Sequence, residues 1–429
     1  MINGSNQKTW LENLKSNMNT LFIHIKELLQ TREISEVKVM GKSMSELPHI
    51  KNAFLRVKDD AIHSYGTMSS LVIEATDKVI DVTGKIILPT WCDSHSHVVY
   101  AGDRSQEFVD RINGLSYEDI AAKGGGILNS AQTLQDASEC DLYKQSIERV
   151  NGLIKLGTGA LEIKSGYGLS TKAELKMLRV IKKIKKDSAV KIKATFLGAH
   201  AIPKKYKDNK VGYIDLIINQ MLPKIHQEQL ADFIDVFCEK GYFSLEETSQ
   251  VLQAATKYGL VPKIHVNQFN SFGGVALGVK HKALSVDHLE VLSKEDVSVL
   301  KNAETMPVAL PGCSFFLGIP YTPARWLINS GLALALATDF NPGSAPSGNM
   351  NFIVSLACIK MNMSPEEAIN AATINGAFAM NISEDYGSIC IGKKASLIIT
   401  KDLTSYRQIP YHFGSNPIYK VMINGEFIE

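Results

Sequence analysis

The stretch IILPTWCDSHSH, residues 86–97, joins an apolar run to a closely spaced pair of histidines. Residues 86–91 predict a buried strand because they are almost continuously apolar. In an extended chain, residues two apart point to the same side, so His95 and His97 can bind one metal ion together. An isolated pair of this kind is more often two surface histidines. The prediction therefore depends on which other residues end strands nearby.

Apolar runs of similar length recur through the middle of the chain. Helix-like stretches such as residues 172–185 and 245–258 separate most of them, which is typical of parallel β/α units. Eight such runs over residues 86–387 predict a (β/α)8, TIM-like barrel. A doubly wound sheet is the alternative, disfavoured because no G-x-G-x-x-G motif follows an early strand. The runs lie at residues 86–91, 160–164, 192–198, 233–238, 262–266, 283–287, 306–310 and 332–338.

Both ends of the chain predict a small β-domain. Residues 18–85 contain short alternating runs at 21–25, 37–40, 55–57, 71–73 and 79–82. Residues 388–429 contain runs at 395–400 and 421–423, the latter followed by the hairpin signal Asn424-Gly425. We expect the two ends to combine into one β-sandwich. Residues 1–17 are polar and weakly patterned, and we expect a disordered extension there.

Composition narrows the classes of partner and compartment. With 46 basic and 44 acidic residues, the chain has no overall attraction for nucleic acid or an anionic membrane. The lysine run at residues 182–186 is expected to be a solvated helix face. Six cysteines without a C-x-x-C pair argue against a disulfide framework or a cysteine-based zinc site. Without a long apolar run or a signal peptide, the expected location is the cytoplasm.

Five histidines and one aspartate lie at or just past predicted strand ends, and a barrel gathers such positions at one mouth. His265 is a candidate third nitrogen ligand, with a hydrogen-bonded core histidine as the alternative. Asp339 is a candidate carboxylate ligand, with a turn cap as the alternative. Imidazoles and one carboxylate are suitable ligands for zinc or non-haem iron. A bound ion of either metal would generate hydroxide from water at neutral pH. The strand-end residues are His95, His97, His200, His265, His288 and Asp339.

A metal-dependent hydrolase must also move protons. His288 and Asp339 are the candidates because both are expected to face the same water. His288 has the alternative role of orienting a ligand. Lys164 ends the second run, and Glu239 follows the fourth, where a carbamylated lysine bridging two metals would have to stand. One ion is therefore expected, and Lys164 is left with a structural or electrostatic role.

The sequence resembles a known family. The order of D-x-H-x-H, two later histidines and a final aspartate resembles the amidohydrolase superfamily. Beyond about residue 18, the chain resembles the imidazolonepropionase family within it, through the segments HSHVVYAGDRSQEF, YEDIAAKGGGI, LEIKSGYGLS, TFLGAHAIP, DVFCEKGYFS, VDHLE and ATDFNPGSAPS.

The resemblance implies a reaction and a set of site residues. The reaction is hydrolysis of 4-imidazolone-5-propanoate to N-formimidoyl-L-glutamate in histidine degradation, by a homodimer. It implies one Zn²⁺ or Fe³⁺ ion bound by His95, His97, His265 and Asp339. Arg104 suits a carboxylate clamp because a guanidinium grips a carboxylate with two parallel hydrogen bonds. The implied substrate contacts are Arg104, Tyr117, Tyr167, His200, Gln268, Asn341, Gly343 and Ser344.

Two positions depart from the related pattern. Gln268 stands where related deaminases carry a proton-shuttling glutamate, so the acid-base work is expected to fall to His288 and Asp339. Ser344 stands where threonine is common, and it keeps the hydroxyl. The alternatives are a related amidohydrolase or deaminase acting on another small ring, and a non-catalytic scaffold. The complete set of expected ligands disfavours the scaffold.

Overall fold

The computed structural model describes residues 19–115, 119 and 125–429, and two sheets organise them. Tyr117 and residues 1–17 lie outside the described residues. The first sheet begins with five strands from the N-terminal part of the chain: β1 Asn19–Leu29, β2 His49–Lys58, β3 Ala61–Thr67, β4 Asp77–Asp81 and β5 Lys85–Pro89.

Eight parallel strands form the second sheet, and each is hydrogen-bonded to the next in chain order. Ser96 and Phe340 form a further parallel bridge just past the first and last strands, which closes the barrel at its mouth. The predicted barrel is confirmed. Its strands are β6 Trp91–Asp93, β7 Thr158–Lys164, β8 Lys191–Ala199, β9 Phe233–Cys238, β10 Val261–Val266, β11 Ser285–His288, β12 Met306–Ala309 and β13 Ala335–Leu336.

Helices follow most barrel strands and cover the outside of the barrel. Every residue of β7 and β9 is buried, as expected for parallel strands that are covered on both faces. Lysines 182, 183, 185 and 186 are exposed on α4, as expected. The helices are α1 Ser105–Ile112, α2 Ile127–Asp136, α3 Glu139–Lys155, α4 Thr171–Asp187, α5 Lys210–Leu216, α6 Leu222–Glu228, α7 Leu245–Thr256, α8 Gly274–Lys280, α9 Lys294–Leu300, α10 Pro311–Leu317, α11 Ala324–Asn329, α12 Met350–Met361, α13 Pro365–Ala372, α14 Ile374–Ala379 and α15 Gln408–Tyr411.

The C-terminal strands join the first sheet, so the two chain ends combine as expected. β14 pairs antiparallel with both β5 and β15, and Asn424 and Gly425 make the predicted hairpin turn between β15 and β16 with φ of 49° and 83°. This sheet packs around its own cluster of buried apolar side chains, separate from the barrel core. Its last strands are β14 Leu397–Asp402, β15 Ile418–Ile423 and β16 Glu426–Phe427.

The structure corrects three of the predicted strands. Residues 86–91 divide between the sheets, because β5 pairs with β1 and β14 and only β6 joins the barrel. Residues 37–40 form no strand, since the side-chain amide of Asn375 binds both the N–H and the carbonyl of Val39. Residues 71–73 also form none; Val72 and Ile73 are exposed, and the Val72 carbonyl accepts a hydrogen bond from Arg56.

Within the described residues, no helix is long and apolar enough to cross a bilayer.

Candidate metal centre and active site

The first and last barrel strands are joined at the mouth. The carboxylate of Asp93 accepts hydrogen bonds from the Thr338 backbone N–H at 3.0 Å and hydroxyl at 2.6 Å. Beyond these strands, the Asp339 N–H donates to the His95 carbonyl at 3.0 Å. Asp339 has a φ of 55°, a left-handed conformation that redirects the chain at the strand end. These bonds hold the H-x-H segment and Asp339 side by side.

Four of the predicted strand-end side chains lie around one point. His97 Nε2 is 3.3 Å from His95 Nε2 and 3.5 Å from Asp339 Oδ1, and His95 Nε2 is 3.6 Å from the same carboxylate oxygen. The rings of His95 and His265 have centroids 4.4 Å apart. Donor atoms of His95, His97 and Asp339 lie within 4.8 Å of one another, as do those of His95, His265 and His288. The barrel therefore brings together all four predicted ligands.

Buried carboxylates hold the outer nitrogens of two imidazoles. Nδ1 of His95 lies 2.6 Å from Asp287 Oδ2, and Nδ1 of His265 lies 2.8 Å from Asp235 Oδ2. The contact between Nδ1 of His95 and Asp287 has hydrogen-bond geometry, so it favours the tautomer with the proton on that nitrogen and leaves Nε2 of His95 free for a metal. Burial first, and then the positive charge of Lys164, lower the pKa of His95 well below its usual range. The imidazole therefore stays neutral and able to bind a cation.

The residues fit a metal ion by the chemistry of their donors. Three imidazoles and one carboxylate are ligands that zinc and non-haem iron accept. Ligands about 2.1 Å from one ion in tetrahedral geometry are about 3.4 Å apart, close to the separations among His95, His97 and Asp339. The expected site is thus chemically and geometrically suited to one ion.

A buried charge network lies behind these ligands. The Lys164 ammonium is 2.6 Å from Glu162 Oε1 and 2.8 Å from Asp235 Oδ2, and Lys263 contacts the other oxygen of Glu162. All four side chains are fully buried. Burial alone would lower the pKa of Lys164, but attraction to Asp235, Glu162 and Asp287 raises it above its usual range. Lys164 is therefore an electrostatic support for the carboxylates that orient the imidazoles.

His288 faces the cluster from the end of β11, with Nδ1 3.1 Å from Glu290 Oε1. Burial would lower the pKa of His288, but the charge and hydrogen bond of Glu290 raise it to about 9. The carboxylate of Glu290 therefore favours the protonated form of His288. Gln268 lies nearby, and its amide contacts the Cys313 sulfur at 3.4 Å.

A cavity of about 390 Å³ opens in front of the cluster, a volume suited to a small molecule. Seven of the eight predicted substrate contacts line it, whereas Tyr117 lies outside the described residues. His97, His265, His288 and Asp339 line the same cavity, and the seven contacts are Arg104, Tyr167, His200, Gln268, Asn341, Gly343 and Ser344.

Two aromatic side chains that line the cavity, Tyr167 and His200, are neutral hydrogen-bonding groups. Burial and the negative charge of Asp339 raise the pKa of the Tyr167 hydroxyl, so it stays protonated and can donate. Burial, followed by the charge of His265, lowers the pKa of His200 to about 3. Because His200 Nδ1 lies 3.1 Å from the Gly166 carbonyl, that nitrogen carries the proton and Nε2 can accept.

A tight turn positions the carboxylate at the end of the last strand. The Asn341 side-chain oxygen accepts from the N–H groups of Gly343 and Ser344 at 2.8 and 2.7 Å. Its amide nitrogen donates to the Asp339 carbonyl at 2.6 Å, and the Ser344 hydroxyl lies 3.3 Å from Asp339 Oδ2. Asn341 and Ser344 therefore support Asp339 as well as lining the cavity.

Sequence reasoning missed the residues behind the ligands. Asp235 and Asp287 lie inside β9 and β11, where the surrounding residues read only as apolar strands. Glu107 and Arg111 also line the cavity. The spacing of seven residues from Arg104 to Arg111 is a signal that could have placed the second arginine on the same helix face.

Comparison with known proteins agrees with this architecture. Residues 177–428 match the family described as the amidohydrolase family. Solved structures of similar fold include a triazine hydrolase variant, at a TM-score of 0.73 with 14% identity over 95% of this chain and 94% of that one. Another is guanine deaminase from E. coli, at 0.70 with 14% identity over 96% and 99% of the two chains. Identities this low show the fold alone.

Relatives of higher identity define the family further. The imidazolonepropionases of Christiangramia forsetii and Flavobacterium johnsoniae are each 63% identical over 96% of this chain and their whole length. That of Thermoanaerobacter pseudethanolicus is 41% identical over 89% of this chain and 91% of its own length. The chain belongs to the imidazolonepropionase family of the amidohydrolases.

Proposed function

We propose that this protein hydrolyses 4-imidazolone-5-propanoate to N-formimidoyl-L-glutamate, a step of histidine degradation. The single observation that carries the proposal is that one cavity is lined by three of the four candidate metal ligands, His97, His265 and Asp339, and by a cationic group, Arg104. A flat ring bearing a propionate needs both parts: one to attack the cyclic amide and one to bind the carboxylate.

One zinc or iron ion, when bound, lowers the pKa of water toward neutrality and polarises the carbonyl under attack. Asp339 accepts the proton of the attacking water, since its carboxylate lies beside His95 and His97 and lines the cavity. His288 donates a proton to the departing ring nitrogen, because its imidazole also lines the cavity and the carboxylate of Glu290 favours its protonated form. Gln268 cannot titrate and orients the substrate. The structure thus supports dividing the two proton transfers between Asp339 and His288.

We also propose a cytoplasmic location and a homodimer. The six cysteines are all free thiols, which suits the reducing cytoplasm. A homodimer follows from the family resemblance, and the small-molecule cavity needs no nucleic acid or membrane partner. Residues 91–387 would then be the catalytic barrel, and residues 19–89 and 388–429 the β-domain.

A direct assay tests the function. Purified protein loaded with zinc or iron should consume 4-imidazolone-5-propanoate, measured as loss of its ultraviolet absorbance, and yield N-formimidoyl-L-glutamate. Asp339→Asn should lower kcat at least 100-fold, since proton transfer to a positioned group contributes about 10²–10⁴-fold. A metal-loaded protein that leaves this compound intact while hydrolysing another ring would overturn the proposal.

A further inference from the structure

Two arginines of the first barrel helix reach the same end of the cavity. Arg104 directly precedes α1 and Arg111 lies in its last turn, seven residues later, which puts both on one helix face. A Cβ atom on Gly343 would lie 2.0 Å from Arg104 Nη1, so that guanidinium packs directly against the glycine. Arg111 Nη2 donates to the Gly343 carbonyl at 2.9 Å. The two guanidinium groups therefore meet at one backbone position.

Only one of these arginines has a carboxylate partner in the described part of the chain. Nε and Nη2 of Arg104 lie 2.7 and 2.6 Å from Glu107 Oε2. The other oxygen of Glu107 accepts from the Gly126 N–H at 2.8 Å, so both oxygens are engaged. Arg111 makes no salt bridge with a described residue, and its guanidinium lies 5.1 Å from the Phe316 ring centroid.

The charges at this end of the cavity do not cancel. Two guanidinium groups face one carboxylate among the described residues, which leaves one positive charge. Burial, and then the charge of Arg104, lower the pKa of Arg111, so an anion between the arginines would relieve their repulsion. Among the described residues, Gly343 uses one of the five N–H donors of Arg111, and a guanidinium can offer its further donors to an oxyanion.

We propose that Arg111 is a second carboxylate-binding residue, which binds the propionate of the substrate jointly with Arg104. This inference rests on the proposed function. It explains specificity, because the single carboxylate of the substrate balances the positive charge that is left at this end of the cavity. The guanidinium of Arg111 lies over the Phe316 ring, and its hydrogen bond to the Gly343 carbonyl fixes one of its nitrogens. A ring with a neutral side chain would leave the positive charge uncompensated.

Arg111→Met tests the proposal in the metal-loaded protein. Hydrogen bonds to a charged group are worth about 1.5–3 kcal/mol, so KM for 4-imidazolone-5-propanoate should rise about 10- to 100-fold. The value of kcat should change less than threefold, because the contact is remote from the reacting bond. Arg111→Lys keeps the charge and should recover part of the loss. Arg179→Met is the matched control, since Arg179 makes an exposed ion pair with Glu228, and its kinetics should match the parent.

Two competitive inhibitors separate binding of the carboxylate from a general disturbance of the site. Arg111→Met should weaken imidazole-4-propanoate about 10- to 100-fold and imidazole-4-propanamide less than threefold. Equal weakening of both inhibitors, or an unchanged KM, would overturn the assignment of Arg111. If the parent does not hydrolyse the substrate at all, the proposed function has failed instead. Metal content and thermal melting of each variant confirm that it is folded.

Discussion

Replacing Lys164 by methionine tests whether the buried charge network supports the metal ligands. The substitution removes the ammonium that Glu162, Asp235 and Asp287 share, all of them fully buried, and leaves Lys263 in contact with Glu162. Removing one partner of a buried pair costs about 3–5 kcal/mol. At an entropy of unfolding near 2.1 cal/mol/K per residue, about 0.9 kcal/mol/K for this chain, the melting temperature should fall by about 3–6 °C.

The same variant should bind its metal more weakly. Asp235 loses the ammonium that accompanies His265, and such outer contacts contribute about 10- to 100-fold to metal affinity. Differential scanning calorimetry and competition with a coloured chelator measure the two effects. Lys185→Met is the matched control, because Lys185 is an exposed partner of Asp232 at 3.4 Å, and it should shift melting by less than about 1 °C. Parent-like melting and metal affinity in Lys164→Met would refute the reasoning.

Three further results are expected. Hydrogen bonds from Arg56 hold the pKa of Asp77 below its usual value, so the stability this pair contributes is present above about pH 4 and is lost as pH falls through the folded pKa. Asp77→Asn should therefore cost about 1 kcal/mol at pH 7 and progressively less on acidification, whereas a pH-independent difference would contradict the ion-pair argument. Gly343→Ala should raise KM at least about 10-fold by displacing the Arg104 guanidinium, since its Cβ would lie 2.0 Å from Nη1, and a parent-like KM would show that the arginine is not held there. Removing the metal with a chelator should abolish activity and lower the melting temperature, with recovery on adding zinc or iron; activity that survives complete removal, checked by elemental analysis, would exclude the metal mechanism.

The sequence predicted the mouth of the barrel better than its interior. His265 and Asp339 could be placed because a polar residue stands directly after an apolar run. Asp235 could not, because a single carboxylate inside a buried strand becomes meaningful only when the lysine of another strand is known to face it. The absence of a strand at residues 37–40 could not be predicted either. The alternation of residues there does not reveal that the side chain of Asn375 binds the backbone of Val39.

The closure of the barrel bears on how the protein is made. The chain supplies His95 and His97 near the start of the barrel, but Asp339 follows its final strand. A nascent polypeptide on the ribosome therefore carries two imidazoles through nearly the whole synthesis of the barrel before the opposing carboxylate emerges. A chain truncated ahead of Asp339 would therefore lack both the hydrogen bond that joins Asp339 to His95 and the carboxylate of the candidate metal site.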